Sequence, residues 1–97
     1  MVTLKEIELA HDRIRSFIHR TPILTNKSLN ELSGASLYFK CENFQKVGAF
    51  KIRGATNTVE QLSQAGIEKG VATTSSGNHG AALSMAVTRR GGKTNRR

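Results

Sequence analysis

Two short segments hold the residues whose types and spacing could do chemistry. The first is residues 43–55, NFQKVGAFKIRGA. Its Lys51 lies between Phe50 and Ile52, where a loop meets the start of a helix. Apolar neighbours and a helix N-terminus both disfavour an ammonium charge, and an amine that has shed its proton attacks carbonyls, as in Schiff-base chemistry. The same position also suits an ordinary surface lysine at a helix start. The second segment is residues 74–80, TSSGNHG. It joins a strand to a helix, the place where open α/β sheets hold their ligands. Backbone N–H groups at the helix start attract anions, and the hydroxyls of Ser75 and Ser76, the Asn78 amide and the His79 ring add donors. A carboxylate or a phosphate would suit that set, and so would a plain helix N-cap with no ligand. No Cys, Asp or Glu stands near His79 in sequence to complete a ligand set, so no metal site is expected. Gly91-Gly92-Lys93-Thr94 lacks the spacing glycine of a phosphate-binding P-loop and follows a helix, not a strand.

The elements that must position these residues follow from periodicity. Thr3 and Glu6 form a capping-box pattern. Leu4, Ile7, His11, Ile14, Phe17 and Ile18 then recur at helical spacing, which predicts a helix over 4–18 with one apolar face. Thr21-Pro22 turns the chain to an extended form. Ser28 to Glu31 repeats the capping pattern for a short helix that Gly34 ends. Residues 36–41 alternate as a strand does, with Leu37, Phe39 and Cys41 on one side. A helix is expected from Lys51, with Ile52, Ala55, Val59 and Leu62 on one stripe and Gly66 as its stop. Residues 71–74 read as a strand, and Asn78 to about Arg90 as a helix with Gly91 after it. Alternating strands and helices indicate an α/β protein with parallel strands. Two such strands cannot cover their own faces and edges, so the chain reads as the beginning of a larger fold.

Composition narrows the classes of function. Ninety-seven residues make at most one small domain. The formal net charge is +8, but Arg89, Arg90, Lys93, Arg96 and Arg97 crowd the end and the body is only mildly basic. A basic tail could bind nucleic acid through phosphates. The chain nonetheless has one Tyr and no Trp, and so lacks the aromatic platforms that stack bases. No apolar run is long enough to span a bilayer. A single cysteine, Cys41, leaves no disulfide framework. A cytoplasmic setting is expected.

Taken together, residues 39–45, FKCENFQ, residues 48–55, GAFKIRGA, and residues 75–80, SSGNHG, resemble the pyridoxal-phosphate (PLP) enzymes of the tryptophan-synthase β fold. Within these they are most similar to the serine racemase and threonine/serine dehydratase (ammonia-lyase) branch. Thr21-Pro22-Ile23-Leu24 matches the extended segment ahead of that family's first strand. The resemblance covers residues 4–87. It implies a two-domain α/β fold, of which this chain would be an N-terminal piece. Residues 1–68 would begin the large PLP domain, and 69–97 the small domain with a divergent basic end. It implies that Lys51 carries the cofactor as a Schiff base and moves the substrate α-proton. Phe50 would pack on the cofactor ring, and Asn78 would hydrogen-bond its 3′-oxygen. Ser75, Asn78 and His79 would surround the substrate carboxylate, and Ser76 would face the ring opposite Lys51 as a second acid–base group. The substrate would be serine, threonine or hydroxyaspartate, and the enzymes of this family are usually homo-oligomers.

The family's glycine-rich phosphate loop and its contact to the pyridine nitrogen lie downstream of these residues. The expectation is therefore a truncated or split family member, inactive alone. Two further readings remain: a non-catalytic piece that complements a partner, and a small basic nucleic-acid-binding protein.

Overall fold

A computed structural model describes residues 1–75 and 77–96, with the side chain of Arg96 left aside. The elements run α1 (Leu4–Ile14), β1 (Ile23–Leu24), α2 (Lys27–Ser33), β2 (Phe39–Lys40), two 3₁₀ turns (Glu42–Phe44 and Lys46–Gly48), α3 (Lys51–Glu60), α4 (Gln64–Lys69), β3 (Val71–Thr73), α5 (Asn78–Arg89) and β4 (Thr94–Arg96).

The core forms where α3 lies against α5. Ile52, Ala55 and Val59 from α3 meet Ala82, Leu83, Ala86 and Val87 from α5, and Ile67 of α4 closes the cluster. Small residues on α5 let the two helices approach closely. Ile18, Val47, Leu62 and Val71 pack around the edge. At the far end Arg90 Nη1 donates to the carbonyls of Val59 and Leu62, at 2.6 and 2.8 Å. One carbonyl is in the last turn of α3 and the other in the turn that follows it, so Arg90 ties the end of α5 to the end of α3. Arg89 pairs with Glu60 and lies 3.6 Å from the centroid of the Phe17 ring.

Several elements differ from the sequence expectation. The Thr3–Glu6 capping box is present, but α1 stops at Ile14 and only Ile14 of its apolar stripe is buried. Asn26, not Ser28, caps α2 by accepting the Leu29 amide, and Gly34 ends it in the left-handed region as expected. The strand expected over 36–41 shrinks to two residues. It pairs antiparallel with β1, Ile23 opposite Lys40 and Leu24 opposite Phe39, so it is not part of a parallel sheet. Gly66 does not stop a helix. The Ser63 hydroxyl accepts the Gly66 amide and starts α4, and the chain turns instead at Gly70, φ 87°. The polar end forms β4, parallel to β3 with Val71 opposite Thr94.

Candidate functional site

A cavity of about 580 Å³ opens between the first turns of α3 and α5. Phe50, Lys51, Ala55, Val71, His79 and Leu83 are among its walls. Its size is that of a small-molecule site. Two things place Lys51 there. It is the first residue of α3, and the chain reaches it through the two 3₁₀ turns. Its Nζ stands 5.3 Å from the centroid of the Phe50 ring. Both Lys51 and Phe50 are exposed, so the apolar enclosure expected around the lysine is limited to one wall.

The second segment arrives on the other side. Val71–Thr73 delivers the loop, and α5 begins at Asn78. The Ser75 hydroxyl accepts the Gly80 amide at 3.3 Å, which ties the loop back onto the first turn of α5. His79 reaches the cavity wall, while Asn78 and Ser75 lie in the adjoining helix start and loop. Ser76 lies outside the described residues. Thus Phe50, Lys51 and His79 share one cavity, and Ser75 and Asn78 flank it.

The helix ends add a field of their own. Residues near the N-termini of both α3 and α5 line the cavity, and Arg89 and Arg90 join the opposite ends. The positive ends of two macrodipoles therefore converge where an anion would enter.

Sequence reasoning missed the pair that holds the lysine's turn. Arg53, two residues beyond Lys51, clamps Glu42 with two hydrogen bonds, Nε to Oε2 at 2.8 Å and Nη2 to Oε1 at 2.7 Å. The Thr21 hydroxyl donates to the same carboxylate at 2.5 Å. The Arg53 guanidinium holds the Glu42 carboxyl down at about 2, against burial, which pushes it up; the Thr21 hydroxyl adds to the lowering. Arg53 is correspondingly raised by the Glu42 hydrogen bonds. Gln45, buried, acts as a second staple: its Oε1 accepts the His19 amide at 2.8 Å and its Nε2 donates to the His19 carbonyl at 2.7 Å. The available signal was a lone acid just before the segment that carries the lysine and a lone arginine within it.

Between these staples, Val47 adopts φ 58°, ψ 15°, a left-handed backbone that a β-branched residue enters at a cost. Its side chain packs against the core, which holds it there.

The family model for pyridoxal-phosphate-dependent enzymes matches residues 14–94. Serine racemase of Dictyostelium discoideum is 60% identical over 85 residues, covering 88% of this chain and 26% of that protein. β-Hydroxyaspartate dehydratase of Paracoccus denitrificans is 58% identical over 89 residues, covering 92% of this chain and 28% of that protein. The solved structure of maize serine racemase superimposes with a TM-score of 0.90 at 45% identity, over 96% of this chain and 29% of its own. The chain belongs to the pyridoxal-phosphate-dependent enzyme family, on the side of its serine racemases and hydroxy-amino-acid dehydratases. It spans about a quarter of the length of the relatives it matches.

The residues present fit part of that cofactor. A primary amine at the cavity edge suits an aldehyde, the Ala55, Val71 and Leu83 wall suits a ring, and the helix N-termini suit negative charge. Among the described residues no cluster of His, Cys, Asp and Glu could hold a metal, and no helix is long and apolar enough to cross a membrane.

Proposed function

We propose that this chain carries the lysine side of a PLP site acting at the α-carbon of a small hydroxy amino acid. The reaction would be ammonia-lyase (dehydratase) chemistry or racemisation, and the substrate serine, threonine or 3-hydroxyaspartate. The observation that supports this most is the single cavity shared by Lys51 and His79 with two helix N-termini at its edge. When bound, the cofactor is the electron sink that makes the α-carbon acidic.

The chain's own residues have distinct tasks. Lys51 Nζ would hold the cofactor's aldehyde carbon and, when freed, take the α-proton. Phe50 would lie against the ring, and the Asn78 amide would hydrogen-bond its 3′-oxygen. Ser75, Asn78 and His79 would receive the substrate carboxylate, helped by the N-terminus of α5. Ser76 would supply a proton from the face opposite Lys51. Loss of the β-hydroxyl as water and hydrolysis of the resulting enamine would give a keto acid and ammonia; return of the proton to the other face would invert the centre.

We further assign residues 1–68 to the lysine-bearing domain and 69–97 to the start of a second. The α3–α5 core would then be the seam between them. A cytoplasmic setting suits the free thiol of Cys41.

The test is covalent trapping. The full chain and its Lys51→Ala variant are incubated with PLP, reduced with borohydride and mapped by mass spectrometry. Label concentrated at Lys51 and lost in the variant is expected. Equal labelling of Lys27, Lys46 and Lys69 in both proteins would overturn the assignment.

A further inference from the structure

A second hollow, of about 430 Å³, shares Arg53 with the Lys51 cavity. Its lining is His11, Arg15, Ile18, His19, Arg20, Lys40 and Arg53. Six of the seven are basic side chains, and none is acidic. Such a concentration of like charge is unfavourable unless something negative offsets it.

The charges near the hollow do not balance. Arg53 is held by Glu42, at 2.7 Å. Arg15 has a loose partner in Asp12, at 3.8 Å and largely exposed. Lys40 Nζ donates to the Thr21 carbonyl at 2.8 Å, which satisfies a hydrogen bond but cancels no charge. Arg20 has no ion-pair partner among the described residues. The His19 ring is oriented by the Phe44 carbonyl, 3.2 Å from Nδ1, which leaves Nε2 for another group. Four cations therefore stand against two carboxylates, with two imidazoles beside them.

We propose that this hollow is a binding site for a doubly charged oxyanion, a phosphate group. Two uncompensated positive charges match the charge of about −1.5 to −2 that a phosphate carries at neutral pH. Guanidinium forks bind phosphate oxygens in pairs, which favours phosphate over a halide or a single carboxylate. The group could be inorganic phosphate or the phosphate of an organic ester. The site is separate from the Lys51 cavity, but Arg53 lines both. An anion in the hollow would compete with Glu42 for Arg53, two residues from the lysine.

The experiment is a titration of the full chain with inorganic phosphate at constant ionic strength set by chloride. Binding is followed by NMR through the imidazole signals of His11 and His19. Saturable shifts at both rings are expected. Arg20→Gln and Arg15→Gln should each weaken binding about tenfold or more. Lys27→Gln, which makes the same charge change on α2, and Lys51→Ala should leave binding unchanged. A parallel titration with glycerol phosphate separates the sources: tighter binding points to an ester, equal binding to the phosphate group alone. Chloride producing the same shifts, or Lys27→Gln weakening binding as much as Arg20→Gln, would overturn the site. Circular dichroism spectra matching the parent establish that each variant is folded.

Discussion

Residues 51–92 and residues 22–44 are built on opposite terms. The first stretch holds Ile52, Val59, Ile67 and Val87 at 0–1% exposure. The second has no buried residue, and Ile23, Leu24, Leu32, Tyr38 and Phe39 all face outward. Its shape rests on local hydrogen bonds: the Asn26 and Gly34 caps, the Leu37 amide on Asn30 Oδ1 at 2.8 Å, and the two-residue ladder to β1. The radius of gyration shows the result. It is 16.3 Å, where a compact chain of about 100 residues has about 13 Å. Burial fixes the half that carries the lysine's helix, whereas turn hydrogen bonds and the Glu42 clamp shape the other half and leave an apolar face uncovered.

Substitutions can break that contrast or sharpen it. The largest effect is expected in the core: Ile67→Ala should cost about 2–5 kcal/mol in urea unfolding. Leu32→Ala, 85% exposed, should change stability by less than about 0.5 kcal/mol. Comparable losses would mean that the exposed half is also covered.

Glu42 bridges the two halves, and its loss should come next. Glu42→Gln should cost about 1.5–3 kcal/mol, as a charged hydrogen bond partner is removed. The carboxyl is depressed in the folded chain, so its contribution is complete above the ordinary value of 4.5 and disappears as pH falls toward about 2. The parent's stability should therefore decline across that window, and the Gln variant's should decline less. Parallel pH profiles of unfolding would disprove the clamp.

At the edge of the core, Gly92→Ala should cost about 1–3 kcal/mol by overpacking. A Cβ there would stand 2.8 Å from Ile67 Cγ2 and Val87 Cγ1, and 3.0 Å from the Ile67 carbonyl oxygen. The smallest effect belongs to a cap: Asn26→Ala should cost about 1 kcal/mol. It should appear as faster amide exchange confined to α2, while α3 and α5 keep their protection.

The same contrast decides what could be read from sequence. α3 and α5 were legible because their buried stripes repeat at helical spacing and their starts carry the chemistry-bearing residues. The strand–loop–helix pattern and the loop–helix junction marked the two segments, but only the family resemblance joined Phe50, Lys51 and His79; the cavity brings the three side chains together. α4 was hidden because a glycine inside a short helix has the same letter as a glycine that ends one; only the Ser63 hydroxyl on its amide tells them apart. β4 has no apolar alternation, since pairing with β3 and the fit of Gly92 against Ile67 and Val87 place it. The Glu42–Arg53 clamp joins residues that no periodicity links.

The Arg90 fork on the end of α3 sets the mechanics of the site. Any separation of α3 and α5 that keeps this tie would be widest at the cavity end. The twelve residues of α5 give an arm of about 18 Å. A swing of about 5° about the pinned end therefore moves the Asn78 end by about 1.5 Å. That is half a hydrogen-bond length, gained at the end farthest from Val59 and Val87, which sit beside the tie.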